Sequence, residues 1–491
     1  MKESLDEVPH PGRWIAMGVL LVAGFMNLID VTIVNVALPS MQRAFGATDS
    51  QIEWVVAAYI LTFALGLMPF GRLGDVVGRR QMFLAGICVF TLGSALCGLA
   101  PGMRTLIAAR VLQGVGGAMM IPQTLAITPA LFPPHERGFA FSLFGLTAGL
   151  ASVAGPVIGG LLIRADIVGL GWRPIFLVNI PIGIAAVFAT LRFVPSPKGE
   201  RSLGSDLVGI AIAAVALLLL IVPLIEGRQL GWPLWAFGMI AASLAGAAAF
   251  VAWERRQARR GAPEVLPAAL LESRNYLTGA AMVATLFSGI PGLFMVLALY
   301  LQNGYGLDAL HSGLATLPFP VGVFCASLVS GRLGTRWPRR RITTGALLLA
   351  GGMLALRVVV LGTGEEISRV ALAPALFVAG LGLGVSVAMM FQTVLASVPP
   401  RDTGSASGSL QAFQQVGGAF GVAIMGELFF GSLAGGLTGG GDPHAAYAAA
   451  MSRALIYSIL AFVTVAVMAQ TLPRPNFAGF ARRSPVVAPL E

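Results

Sequence analysis

Asp30 stands inside a long apolar stretch, residues 14 to 38, where an ionised side chain is costly unless it faces a cavity, meets a partner or carries a proton. In apolar surroundings a carboxyl group favours its uncharged form. A carboxyl so placed can take up and release a proton as its surroundings change, which is the chemistry of a proton-coupled site. The plainer reading is an aspartate hydrogen-bonded to Asn27, one turn earlier, for helix contact alone. Arg110 poses the same problem with the opposite sign: it lies a few residues into an apolar run and must either find an acceptor or snorkel to the outer interface. Glu427, toward the outer end of a later apolar stretch, is a second acidic candidate. It faces a central cavity if the two halves of the chain align, and is otherwise solvated at the interface. Gln411, Gln414 and Gln415 share one helix face at spacings of three and four, and with Asn27 they can offer hydrogen bonds to a bound molecule or to neighbouring helices.

Between the second and third apolar stretches lies GRLGDVVGRR, residues 71 to 80. Gly71, Gly74 and Gly78 permit a tight turn and close helix approach, and Asp75 precedes Arg79 by four residues, a spacing that supports pairing where the backbone is helical. A short charged loop of this kind suits a cytoplasmic latch. Arg79 and Arg80 also suit an anchor at the membrane face, and the two roles are compatible. The pattern returns as GRLGTRWPRR at residues 331 to 340 with Thr335 in place of Asp75, so the latch is expected on one side only. Gly145 and Gly149, then Gly155 and Gly159 with Gly160 beside it, form a small-residue strip along which another helix can approach. Pro156 removes a backbone hydrogen bond and invites a bend there. The alternative is generic helix contact in a chain with 62 glycines.

The elements that must hold these residues are transmembrane helices, because apolar stretches of about 20 residues recur along the whole chain, the length a helix needs to cross a bilayer core. Spans are expected near 14–38, 52–72, 81–100, 105–127, 138–162, 172–193, 206–225, 233–253, 275–301, 311–334, 341–361, 370–395, 405–430 and 451–470. The repeated loop follows the second span of each six-span set, so the fold class expected is an all-α membrane protein of two six-helix halves, residues 14–193 and 275–470. A two-helix insertion with its linkers, residues 194–274, joins the halves, and tails 1–13 and 471–491 flank them. Repeats of this kind build many transporters, with the substrate site near the bilayer midplane between the halves. An even number of spans puts both termini on one side. Arginine-rich loops, among them Arg79-Arg80 and Arg255-Arg256, assign that side to the cytoplasm.

Composition excludes several classes. With 56% hydrophobic and 11% charged residues, against about 25% charged in soluble domains, the chain cannot bury its apolar surface without a membrane. The net charge of +10 comes almost wholly from arginines between spans, so it reports orientation and not a nucleic-acid partner. Cys88, Cys97 and Cys325 lie within spans and suggest neither a disulfide framework nor a zinc site. No Walker-type loop or metal-ligand cluster is present in the sequence, so no metal and no cofactor is expected beyond protons as the coupling ion. His10, His135, His311 and His444 are scattered, which argues against a membrane-embedded enzyme acting on lipid-linked substrates. The Gly-rich stretch 435 to 441 reads as an external loop.

Several motifs together carry a resemblance. LIDVTIVNVALP at residues 28–39 resembles the opening signature of the 14-span drug:proton antiporters of the major facilitator superfamily, and GRLGDVVGRR is similar to the superfamily's most widespread cytoplasmic-loop motif. RVLQGVGGA at 110–118 resembles its fourth-span motif, and GPVIGG at 155–160 the fifth-span motif of antiporters. WRPIFLVNIPIG at 172–183 and YLQNGYGLDALHSGLATLP at 300–318 resemble further regions of the same subfamily. The resemblance implies a role for Arg110 in coupling proton occupancy to conformation. The fifth-span element implies export.

The expected function is therefore proton-coupled export of small amphipathic drugs or antibiotics by alternating access, by a monomer in the bilayer of a bacterial cytoplasmic membrane, with a periplasmic adaptor left open. The same fold also allows a dedicated transporter of one metabolite, lipid or siderophore. A receptor that has kept the fold would be expected to lack a buried aspartate such as Asp30.

Overall fold

The computed structural model describes residues 12–47, 49–195, 206–227, 230–307, 309–333, 337–362, 369–438 and 442–472. Its long helices are α1 (Arg13–Phe45), α2 (Asp49–Val77), α3 (Arg79–Gly98), α4 (Met103–Leu131), α5 (Pro134–Ala165), α6 (Pro174–Phe193) and α7 (Leu207–Glu226). They continue with α8 (Leu234–Arg260), α9 (Arg274–Gly304), α10 (Pro318–Leu333), α11 (Pro338–Gly362), α12 (Arg369–Leu395), α13 (Thr403–Thr438) and α14 (Pro443–Thr471). No strand occurs among the described residues. Among the described residues, thirteen helices are long and apolar enough to cross a membrane, and α5, with 32 residues, is a further long helix beside them.

Local chemistry sets the ends. Asp206 accepts the first backbone N–H groups of α7, Asp442 those of α14 and Ser273 one of α9, each supplying a partner that the first helical turn lacks. Gly46 and Gly261 close α1 and α8 in the left-handed conformation. Two expected boundaries shift. The charged stretch after the insertion is helical as far as Arg260, so α8 outlasts the membrane span assigned to it. The Gly-rich stretch begins as helix, since α13 runs to Thr438, and residues 439–441 lie outside the described set.

The two sets of six pack in the same way. α3 lies on α4 as α11 lies on α12, α2 on α4 as α10 on α12, α1 on α5 as α9 on α13, and α3 on α6 as α11 on α14. Small residues allow these approaches: a methyl on Gly116 would strike the Phe90 backbone, and one on Gly345 or Gly382 would strike the facing helix. In a bilayer such close van der Waals contact is what holds helices together, because lipid supplies no hydrophobic contrast.

Across the seam between the sets, α2 packs on α13 and α5 on α10. α7 lies along the first of these pairs and touches both α2 and α13, while α8 packs mainly on α7 and buries only Ala236, Ser243, Phe250 and Glu254. The insertion is therefore a hairpin laid over one seam, with its outer helix turned to lipid.

Candidate proton site and latch

Asp30 sits on α1 with its side chain fully buried, and Arg110 of α4, only 1% exposed, donates to it through Nη1 at 2.5 Å. The pairing resolves both sequence anomalies at once, since each charge is the partner the other needs. The geometry excludes snorkelling for Arg110: its Nε donates to the Val55 carbonyl of α2, and its guanidinium lies 4.2 Å from the centre of the Tyr59 ring. Asn27 does not serve as the carboxylate's partner. It donates to the Tyr59 hydroxyl at 2.7 Å and is 3% exposed, which makes it a support for the ring under Arg110 and not a cavity wall.

Gln113 is the residue that sequence reading misses. Its Nε2 donates to the second Asp30 oxygen at 2.7 Å and to Ser94 Oγ at 2.8 Å, and its Oε1 accepts from Arg110 Nη1 at 2.8 Å. Asn179 of α6 donates to the same Ser94 oxygen, and the Cys97 thiol to Gln113 Oε1. The signal for Gln113 is its place three residues after Arg110, on the same helix face. Ser94 and Asn179 carry no such signal. Five helices thus converge on one carboxylate.

The latch is built at the other place singled out. Gly78, with φ of 114°, makes the turn between α2 and α3, and across it Asp75 and Arg79 still pair at 3.0 Å. Asp75 also crosses the seam. Its carboxylate accepts from the backbone N–H groups of Gly404 and Ser405 at 2.9 and 2.8 Å and from the Ser405 hydroxyl, so it caps the start of α13 from the opposite half. A helix N-terminus carries unsatisfied N–H groups and partial positive charge, both suited to a carboxylate. Arg79 adds a bond to the Pro400 carbonyl, and Arg72 lies 3.6 Å from Asp402.

Each glycine of the motif has a separate task. A side chain on Gly71 would strike Gly404 and Gly408 of α13, and one on Gly74 would strike the Gln123 amide, which is bonded to the Phe70 carbonyl. Arg80 stays within its own half and donates to the Leu191 carbonyl. The second copy of the loop, residues 334 to 336 with Thr335, lies outside the described residues.

This latch yields a direct test. Asp75→Ala removes several charge-assisted bonds, each worth about 1.5–3 kcal/mol, and the loss of even one across the seam is enough to move the closed-to-open ratio roughly tenfold or more. A cysteine placed at Ser407, buried on α13 with its hydroxyl bonded to the Pro122 carbonyl, reports opening. In a background without Cys88, Cys97 and Cys325, maleimide labelling at position 407 is expected to accelerate by that factor. An unchanged rate would mean that Asp75 does not hold the seam closed.

The strip on α5 divides in two. Gly145 and Gly149 face Val323 and Pro320 of α10, across the seam, whereas Gly155 and Gly159 face Thr32, Ile33 and Val36 of α1, within one half. Gly160 meets nothing within 4 Å. Gly155 and Gly159 therefore pack within one half, and only the earlier part of the strip meets the other half. α5 runs as one helix through Pro156, whose side chain lies outside the described set.

Glu427 is exposed and accepts from Trp232 Nε1 at 3.2 Å. It is tied to the turn of the α7–α8 hairpin and is no part of the Asp30 network. Gln411 is buried on α13 past the latch contact, and Gln414 and Gln415 are half-buried.

Known proteins match this arrangement over most of the chain. The profile of the Major Facilitator Superfamily matches residues 20–422. The chain is 40% identical over 441 residues to a probable actinorhodin transporter of Streptomyces coelicolor, covering 90% of this chain and 76% of that protein. It is 33% identical to the tetracenomycin C resistance and export protein of Streptomyces glaucescens, covering 84% and 74% of the two chains. Among solved structures, a proton:xylose symporter superposes with a TM-score of 0.64 at 13% identity, covering 94% of this chain and 96% of that one. With its seam, its repeated halves and relatives of this kind, the chain is a multi-pass membrane transporter and belongs to the Major Facilitator Superfamily.

Proposed function

We propose that this transporter exports small amphipathic antibiotics or drug-like compounds in exchange for protons. The observation that carries the proposal is the Asp30–Arg110 pair, closed from solvent within one half while the latch joins the two halves. A carboxylate held this way can release its arginine when it takes a proton, and that change in charge is the event a coupled transporter needs. The names of the relatives, which include a puromycin resistance protein of Streptomyces alboniger at 34% identity, support export of antibiotics as the task.

On this reading the latch end is cytoplasmic, both termini lie there, and the membrane is the bacterial cytoplasmic membrane. The closed latch then belongs to a state facing outward. The site residues are Asp30, Arg110 and Gln113 for the proton and Asp75, Arg79 and Arg72 for closure, with Gln414 and Gln415 as candidate substrate contacts. The working unit is a single chain with no cofactor but the proton.

The relatives' names favour a second reading as well, since several state one compound each, and a narrow substrate range would follow. Uptake of ethidium into everted membrane vesicles from cells expressing the chain separates the readings. Uptake abolished by an uncoupler is expected for a broad exporter. Uptake absent for ethidium but present and uncoupler-sensitive for an aromatic antibiotic supports the narrow range. Uptake that survives full uncoupling would overturn proton coupling.

A further inference from the structure

We propose that the latch-side end of α8 is a headgroup site for anionic phospholipids, formed by Arg255, Arg256, Arg259 and Arg260, and that its occupation steadies the closed latch. All four arginines are exposed, and among the described residues none of them makes an ion pair or a side-chain hydrogen bond. Their spacing gathers them on one side of the helix. The buried residues of α8, Ala236, Ser243, Phe250 and Glu254, mark the other side, the one that packs on α7. The arginines therefore continue the face that α8 turns to lipid, where Leu234, Phe237 and Leu244 are also exposed.

Depth agrees with direction. With 27 residues at about 1.5 Å each, α8 is about 40 Å long, which exceeds a hydrocarbon core of about 30 Å and reaches into the headgroup layers. Trp235 and Trp253 lie about 27 Å apart along its axis, close to the separation of the two interfaces at which tryptophan collects. The arginines begin two residues past Trp253, so their guanidinium groups lie among lipid phosphates, which they can pair through two parallel bonds. Each arginine at an anionic membrane surface is worth roughly a fivefold gain in attraction. The neighbouring acidic side chains do not compete. Glu254 is fully buried and accepts from the Val265 backbone N–H at 3.1 Å, and Glu264 accepts from that of Ala268.

The same contacts join the site to the latch. Trp253 Nε1 donates at 2.6 Å to Asp206, at the start of α7, so the ends of the hairpin are tied together. After the left-handed turn at Gly261 the chain runs back with Val265 and Leu266 buried. This return stretch and the latch end, with Arg72, Arg401 and Asp402, line a cavity of about 540 Å³. Because α7 touches both α2 and α13, opening of their seam has to displace the hairpin, and headgroups bound to its end resist that displacement.

The test uses the purified full chain with Ser407→Cys, in the background without Cys88, Cys97 and Cys325, in nanodiscs of phosphatidylcholine with or without phosphatidylglycerol. Nanodiscs expose both membrane faces, and the readout needs neither a transported compound nor a proton gradient, so it stands apart from the export reading. Phosphatidylglycerol is expected to slow maleimide labelling roughly fivefold or more, and added salt to weaken the effect. The quadruple variant Arg255→Gln/Arg256→Gln/Arg259→Gln/Arg260→Gln should lose this dependence, and with it the phosphatidylglycerol retained in native mass spectra. The corresponding quadruple substitution to lysine, which keeps the charge, should preserve both. Melting curves of the same samples show that each variant is folded. Full lipid dependence in the glutamine variant would overturn the assignment of the site to these arginines. Equal labelling rates in the two lipids would overturn the steadying of the latch. Slowing by inorganic phosphate in phosphatidylcholine nanodiscs, to the extent seen with phosphatidylglycerol, would make the ligand a free anion and overturn the lipid site.

Discussion

Asp30→Asn is expected to abolish accumulation driven by the proton gradient while leaving the folded protein in the membrane. Asparagine has nearly the volume of aspartate, and its one oxygen can keep the bond from Arg110, while its amide nitrogen takes the place of the oxygen that accepts from Gln113; Arg110 also keeps its bonds to the Val55 carbonyl and Gln113 Oε1. What it cannot do is exchange a proton. One charge falling through 100 mV is worth about 2.3 kcal/mol, which sustains a substrate gradient of roughly 50-fold. In everted vesicles loaded with the transported compound, Asp30→Asn should let that gradient fall toward unity, and the uncoupler should then change nothing. Exchange of labelled for unlabelled substrate at equilibrium needs no net proton movement and should persist. Gradient-driven transport that continues in Asp30→Asn at equal protein level would take Asp30 out of the mechanism and leave its pairing with Arg110 as a structural feature.

What could be read from the sequence follows from where anomalies show. Asp30 and Arg110 each announce themselves because an ionisable residue in an apolar run has no cheap explanation. Their pairing, across 80 residues, is a property of how α1 and α4 lie together. The spans are legible because lipid makes length and hydropathy nearly sufficient to define a helix. Ser94 and Asn179 are silent in sequence, since neutral polar residues are common in helices that face one another, and Gln113 is marked only by its place three residues after Arg110. The latch was legible only on one side: the motif names Asp75, while its partners are backbone N–H groups of α13, which every residue possesses.

Glu427 and the glycines of α5 teach the complementary lesson. Glu427 is placed by aligning the two halves and the glycines of α5 by their four-residue spacing, and in both cases the neighbouring helices decide the outcome. The hairpin α7–α8 breaks the likeness of the two seams by covering the α2–α13 side, and Trp232 in its turn claims Glu427. α5 changes neighbours along its length, so Gly145 and Gly149 serve α10 across the seam and Gly155 and Gly159 serve α1 within the half.

Arg110→Leu is expected to have the larger effect on the protein itself. It leaves the Asp30 carboxylate buried with Gln113 as its remaining side-chain donor, and removing one member of a buried pair typically costs about 3–5 kcal/mol. The expected observation is a strongly reduced yield of monodisperse protein and a lower melting temperature in detergent. The compensating change separates this cost from function. In Asp30→Asn/Arg110→Leu no charge is left unpaired, so stability should return in large part, while proton-driven transport remains absent because neither the carboxyl nor its counter-ion is there. Arg110→Lys gives the third arm: the charge is kept, but one ammonium cannot reach Val55, Asp30 and Gln113 together while covering the Tyr59 ring. That variant should fold and transport poorly. If the double variant stays as unstable as Arg110→Leu, the arginine's contacts to Val55 and Tyr59 hold the half together, and the carboxylate pair is secondary to them.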